Sequence, residues 1–349
     1  MKPGGNRFWG LPCGLLAFGL CAVTAQADPV SGTLYYTTFA GGTNVHKVDY
    51  NYNGATFTLS NNTGIATTSG ADGLLFAPNG NLLVAGQGFN LTEITPAGAF
   101  VNAVNPGNPS FHLALSSNAP NALVYNMWNG GGNTPISAVT LSAGGLAGNG
   151  VAYTVSGTNT NNLDVRGVIF DPVNNTWYYG TAPDGGSGTF GTVVFNDTLH
   201  TATLTQLLIG TTTFAHGLSF DPFTNDIILN SANTIQQFDP TTGTVVSSMT
   251  GPGNFDQAAA DGKGHLFVAS NSGFLEFVDY DASGLIGAAG NFSASPFLAE
   301  ALDDIAPLSG AGSQQVPEPA SLPLLLASGL AIFALRRRTL GCQTSELAH

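Results

Sequence analysis

Between residues 28 and 310 the apolar residues come in short runs, each opened by a polar residue and a glycine or small residue and closed by a turn. The pattern is clearest in Asp72-Gly73-Leu74-Leu75-Phe76-Ala77-Pro78-Asn79-Gly80, which is followed by Leu82-Leu83-Val84-Ala85. It returns as Arg166-Gly167-Val168-Ile169-Phe170-Asp171-Pro172 before Trp177-Tyr178-Tyr179-Gly180, and as His216-Gly217-Leu218-Ser219-Phe220-Asp221-Pro222 before Ile227-Ile228-Leu229-Asn230. Fainter copies open at His112 and Asp256, so the unit recurs every 40 to 54 residues. Short strands rich in β-formers, punctuated by Gly and Asp-Pro turns at this period, predict the blades of a β-propeller. Asp303-Asp304-Ile305-Ala306 resembles the innermost strand once more, whereas the chain begins one strand late with Thr33-Leu34-Tyr35-Tyr36-Thr37.

The expectation is an all-β propeller of six four-stranded blades, closed by the C-terminal strand. A seventh blade would have to lie in the long interval 112–165. A β-sandwich does not explain the regular return of one motif or the late start. No stretch from 28 to 310 reads as a stable helix; Glu300-Ala301-Leu302 is too short.

The two ends read differently. Lys2 and Arg7 precede an apolar stretch from Phe8 to Val23, and Ala25-Gln26-Ala27 offers a small-x-small cleavage site, so 1–27 is a secretory signal peptide. At the other end, Val316-Pro317-Glu318-Pro319 precedes an apolar run to Leu335 and then Arg336-Arg337-Arg338. The run from Leu322 spans about 21 Å as a helix, less than the roughly 30 Å of a bilayer core, and the arginines are a positive-inside stop. This arrangement resembles the PEP-CTERM sorting signal of Gram-negative bacteria. The resemblance implies processing by an exosortase at Pro317-Glu318-Pro319, transient anchoring by the C-terminal transmembrane helix, and a final place at the cell surface or in an exopolysaccharide matrix. The division is thus signal peptide 1–27, propeller 28–310, linker 311–316, sorting signal 317–340 and cytoplasmic tail 341–349. The implied partners are the Sec translocon, signal peptidase and exosortase, then an exopolysaccharide or a surface protein, for a monomeric propeller.

Composition sharpens this picture. Between Asp28 and Gln315 there are 19 acidic residues and only three basic ones, Lys47, Arg166 and Lys263. Such a surface excludes nucleic acid as a partner. Cys13, Cys21 and Cys342 all fall outside that stretch, so the exported domain has neither disulfide nor thiol chemistry.

Aligning the repeats places Asp72, His112, Arg166, His216, Asp256 and Asp303 at one equivalent position, each preceded by an apolar residue. In a propeller that position encircles the mouth of the central channel. Six ionisable residues there, in so charge-poor a chain, point to a polar ring. Asp72, Asp256, Asp303 and His216 are candidate ligands for a divalent cation, calcium or magnesium. His112 or His216 is a candidate proton acceptor, with Arg166 steadying developing negative charge. The alternative is a ring whose charges satisfy one another. The repeats as a whole resemble the NHL, SMP-30/gluconolactonase and streptogramin-lyase-like group. That resemblance implies either a metal-dependent lactonase with Glu, Asn and Asp ligands or a lyase using His and magnesium. Here the ring lacks Glu, with Asn230 and Asp256 as the nearest counterparts, and His112 and His216 match the lyases loosely.

A non-enzymatic, surface-displayed binding propeller is the first expectation. A metal-dependent lactonase, hydrolase or lyase is the second, and a purely structural matrix protein the third. Asp171, Asp221 and Asp261 read as turn caps. Asp279-Tyr280-Asp281-Ala282-Ser283-Gly284 suggests a calcium loop but lacks the spacing of an EF-hand. Trp128, Trp177 and Tyr35-Tyr36 are aromatic residues for either a sugar-stacking rim or blade packing.

Overall fold

The computed structural model describes residues 29–306, apart from 40–41, 89, 128–134, 158–163, 182–187 and 210–215. The signal peptide, the sorting segment and Trp128 lie outside the described residues. The described residues form six antiparallel blades and no helix. The first blade takes its innermost strand, Leu302–Ile305, from the end of the domain and continues outward with Val30–Thr38, Val45–Tyr52 and Phe57–Ala66. The second runs outward through Leu74–Phe76, Leu82–Val84, Leu91–Ile94 and Phe100–Val104. Innermost strands Leu113–Leu115, Val165–Asp171, Gly217–Asp221 and Phe255–Ala260 begin the other four.

The interval 112–165 holds one blade, enlarged by an extra short strand, Gly145–Leu146. Its outermost strand, Val151–Gly157, runs parallel to Thr201–Ile209 of the next blade, with Thr154 opposite Thr201 and Gly157 opposite Leu204. Edge pairing of this kind covers two backbone edges that would otherwise be open to a second chain. Beside it, Asp197 accepts hydrogen bonds from both Tyr125 and Tyr153 at 2.9 Å.

The alternation read from the sequence fixes which side chains pack. Inner and middle strands have apolar residues on both faces because each blade is sandwiched between neighbours, while outer strands such as Thr244–Thr250 alternate half-buried and exposed positions. At the seam of the ring, Leu34, Tyr36 and Leu302 pack with Phe267, Leu275 and Phe277, and the rings of Phe57 and Phe277 stack at 4.2 Å. Trp177, Tyr35 and Tyr36 are blade-packing residues: Trp177 sits against Tyr125 and Phe195, Tyr35 against Phe76, and Tyr36 is wholly buried.

The channel narrows below the ring to a space of about 40 Å³, lined by inner-strand side chains that include Leu74, Leu115, Ile169, Leu218 and Ile305. The six core clusters and the closing strand pair lie within the described residues, so 29–306 contains a hydrophobic core of its own, as an independently folding domain requires.

Leu302 is fully buried at the seam, and Leu302→Ala is expected to cost about 3 kcal/mol in urea unfolding of 28–306. A change below about 1 kcal/mol would mean that the closing strand adds little to the fold.

Candidate functional site

The six ring positions lie at or just before the starts of the innermost strands, which bring them to one end of the axis. Glycine after the ring residue lets neighbouring strands approach closely. A Cβ at Gly73 would come 2.6 Å from the Phe111 carbonyl oxygen, and one at Gly217 would come 2.0 Å from that of Asp256. The Asp-Gly, Arg-Gly and His-Gly pairs of the repeat are thus a packing requirement as much as a chemical one.

Asp256 is the hub. One of its carboxylate oxygens lies 2.5 Å from His216 Nδ1 and 3.2 Å from His112 Nε2. With its amide turned to donate, Asn271 reaches the other at 2.9 Å. Arg166 approaches His216 from the far side, Nη1 to Nε2 at 3.4 Å. Its guanidinium is held by Asp164 through Nε at 2.9 Å and Nη2 at 3.1 Å, and it lies 3.8 Å above the Phe111 ring. His112 turns its Nδ1 towards Asp304 at 3.6 Å, while the Asp304 carboxylate accepts the Leu74 amide at 2.7 Å. Asp72 accepts from Gln87 at 3.3 Å.

These contacts decide where charge resides. Burial opposes protonation of His112, but hydrogen bonds and attraction from Asp256 and Asp304 prevail and push its pKa up to about 10. Burial also acts against the Asp256 carboxylate, yet His216 and His112 hold it well below the usual range. Asp72 is pushed up to about 8 by burial and then by the charge of Asp256. Asp303 is raised well above its ordinary value by burial, then by Asp72 and Asp256. Burial and mutual repulsion thus favour the charge on Asp256 over its two neighbours.

A cavity of about 300 Å³ opens over these groups, lined by Asp72, Phe111, Arg166, His216, Asp256 and Asp303 among others. Five of the six ring residues reach it; His112, only 1% exposed, lies behind Asp256. Ligand atoms of Asp72, Asp256 and Asp303 converge within 4.8 Å, as do those of His112, His216 and Asp256. Asp303 is buried beside Asp256, and the two carboxyls share a hydrogen bond when one of them is protonated. Asn230 stays out of the cavity, its amide donating to the Asp256 carbonyl oxygen at 3.2 Å.

Asp304, Asp164, Gln87 and Asn271 escape the repeat alignment because none occupies the shared position. The doubled acid Asp303-Asp304 and the Asp164-Val165-Arg166 alternation were the available signals. Asp171, Asp221 and Asp261 cap turns through backbone amides two residues on, at 2.7–2.9 Å. Asp281 does the same for Ser283 and Leu285.

Comparison with known proteins agrees with this architecture. Residues 315–338 match the PEP-CTERM protein-sorting motif, which marks the chain for export, C-terminal anchoring and exosortase processing. No curated protein sequence matches the chain. Among solved structures, the periplasmic gluconolactonase of Pseudomonas aeruginosa is similar with a TM-score of 0.53 at 16% identity, covering 79% of this chain and 98% of that one. A Bacteroides fragilis protein provisionally assigned as a 6-phosphogluconolactonase gives 0.50 at 13% identity, covering 81% and 98%. At such identities these likenesses establish the propeller fold alone. The chain is an exported, PEP-CTERM-sorted β-propeller protein.

The native pKa of His112 lies above its ordinary value, so its contribution to stability is complete below pH 6.5 and disappears as pH rises towards 10. Asp72, also raised, loses its contribution between about pH 4 and 8. Above about pH 5, where the depressed Asp256 is already ionised in both states, chelated protein should therefore lose stability with rising pH. His112→Gln, less stable at neutrality because it breaks a buried pair, should show a shallower loss between about pH 8 and 10 in urea titrations. An unchanged slope there would assign that titration to another group.

Proposed function

We propose that the protein is a surface-displayed binding propeller that takes a divalent cation and a small ligand in its axial cavity. The observation that supports this most directly is the open cavity whose base brings carboxyl oxygens of Asp72, Asp256 and Asp303 within 4.8 Å of one another. Hard carboxylate oxygens suit calcium or magnesium, and His216 stands at the edge of the same group. Arg166, Phe111 and Gln87 line the cavity above these carboxyls, where they would meet an organic ligand. Retention at the outer surface after cleavage of the signal peptide at Ala27 and processing near Pro317-Glu318-Pro319 gives this cavity access to extracellular solutes.

A second reading, a metal-dependent lactonase or lyase, draws on one observation. His216 shares its two ring nitrogens between Asp256 and Arg166 while facing the cavity, the arrangement of an oriented base beside a cationic stabiliser. His112, enclosed behind Asp256, would orient that pair rather than touch substrate.

Calorimetric titration of chelated 28–306 should show one calcium or magnesium ion per chain. Asp303→Asn should weaken it about tenfold or more, since it removes one anionic ligand from a small set. Absence of binding by either ion would overturn the cation reading. Turnover of δ-gluconolactone by the loaded protein, abolished by His216→Asn, would replace the binding reading with the enzymatic one.

A further inference from the structure

The strands that begin at the ring end on the opposite face of the disc, where a second and larger cavity lies at the seam between the last blade and the first. Its volume is about 530 Å³, within the roughly 300–1,000 Å³ of small-molecule sites. We propose that this cavity is a saccharide site that takes a neutral pyranose unit of a glycan.

The walls include two aromatic pairs, Tyr52 with Phe292 at 4.9 Å between ring centroids and Phe223 with Tyr280 at 6.1 Å. Tyr52 and Tyr280 are buried and back the outer rings, whereas Phe292 is half-buried and Phe223 is 48% exposed. The exposed ring of Phe223 is the face that accepts the C–H face of a sugar ring.

The floor is polar and fixed. His265 Nδ1 lies 2.6 Å from Asp261 Oδ2, and its Nε2 lies 3.7 Å from Asp279 Oδ1. The other Asp279 oxygen accepts the Tyr52 hydroxyl at 2.8 Å. This chain spans the two blades and holds the aromatic wall in place. The rim supplies the remaining polar groups: exposed Lys263, together with Asp281 and Asn291. An anionic ligand would meet Asp279 and Asp281, and a cationic one would meet Lys263. A neutral polyol meets both kinds of group favourably, because each hydroxyl donates and accepts. The carboxylates do not converge as the axial ones do: both clusters with metal-ligand spacing among the described residues are at the ring. Gly290, at φ +96° with no atom near its missing side chain, keeps the mouth open.

Saturation-transfer NMR of 28–306 with cellohexaose, xylohexaose and chitohexaose tests the assignment. Transfer to at least one probe is expected. Its dissociation constant should rise about tenfold in Ala282→Trp, which fills the exposed rim, and about threefold in Phe223→Ala. Lys263→Ala should weaken it similarly, and Asp303→Asn, at the axial cavity, should leave it unchanged. Silence from all three probes, or binding that survives Ala282→Trp, overturns the proposal. Binding lost in Asp303→Asn but kept in Ala282→Trp would also overturn it, by moving the saccharide to the axial cavity.

Discussion

The pairing of the last inner strand with the first strand of the chain is the constraint on which the molecule depends. Tyr36 faces Ile305 and Thr38 faces Leu302 across this seam, closing the ring that aligns the other five inner strands. The same pairing delivers Asp303 to the cavity and Asp304 to the space behind it. Thr37 links closure directly to the site: its hydroxyl donates to the Asp72 carbonyl at 2.7 Å and accepts the Asp304 amide at 2.9 Å. Asp304 then reaches into the second blade through the Leu74 amide and into the third through His112. A ring left open would lose two of its four axial carboxyls and the anchor of one imidazole.

Charge at the axis is tolerated because it is unevenly distributed. One half of the ring is compensated: His112 lies between Asp256 and Asp304, and Arg166 is clamped by Asp164. On the other half, Asp72 and Asp303 are both raised, since a second carboxylate beside Asp256 is opposed by burial and by repulsion. Below the ring the inner strands leave a space of only about 40 Å³, so the larger opening beside these carboxyls is the axial cavity.

Much of this was legible in the repeat. The spacing of the Asp-Gly, Arg-Gly and His-Gly starts, with the late first strand, gave six blades and their closure, because each copy encodes the same close approach of inner strands. The same alignment identified the ring, since equivalent positions on equivalent strands must converge on the axis. It did not distinguish His112 from His216, one sealed behind Asp256 and the other at the cavity wall, because that depends on side-chain direction within a crowded ring. It also missed Asp164 and Asp304, whose partners are set by neighbouring blades. The parallel joining of the third and fourth blades was illegible for a related reason: it is an edge contact between strands separated by a whole blade, with no local signature. Tyr52 and Phe292 come together only at the seam, so the second cavity leaves no contiguous trace in the chain.

The scarcity of basic residues gives the two cavities a common logic. In a domain with three cationic side chains, Arg166 lines the axial cavity and Lys263 the rim of the other. An acidic surface repels anions broadly, so fixed cations placed in concavities are where oxygen-rich ligands can approach it. The two openings also face different directions. Ala306, the last described residue, follows the closing strand at the end away from the ring, and the sorting motif begins at residue 315. The described chain thus ends on the face that carries the second cavity, opposite the axial mouth.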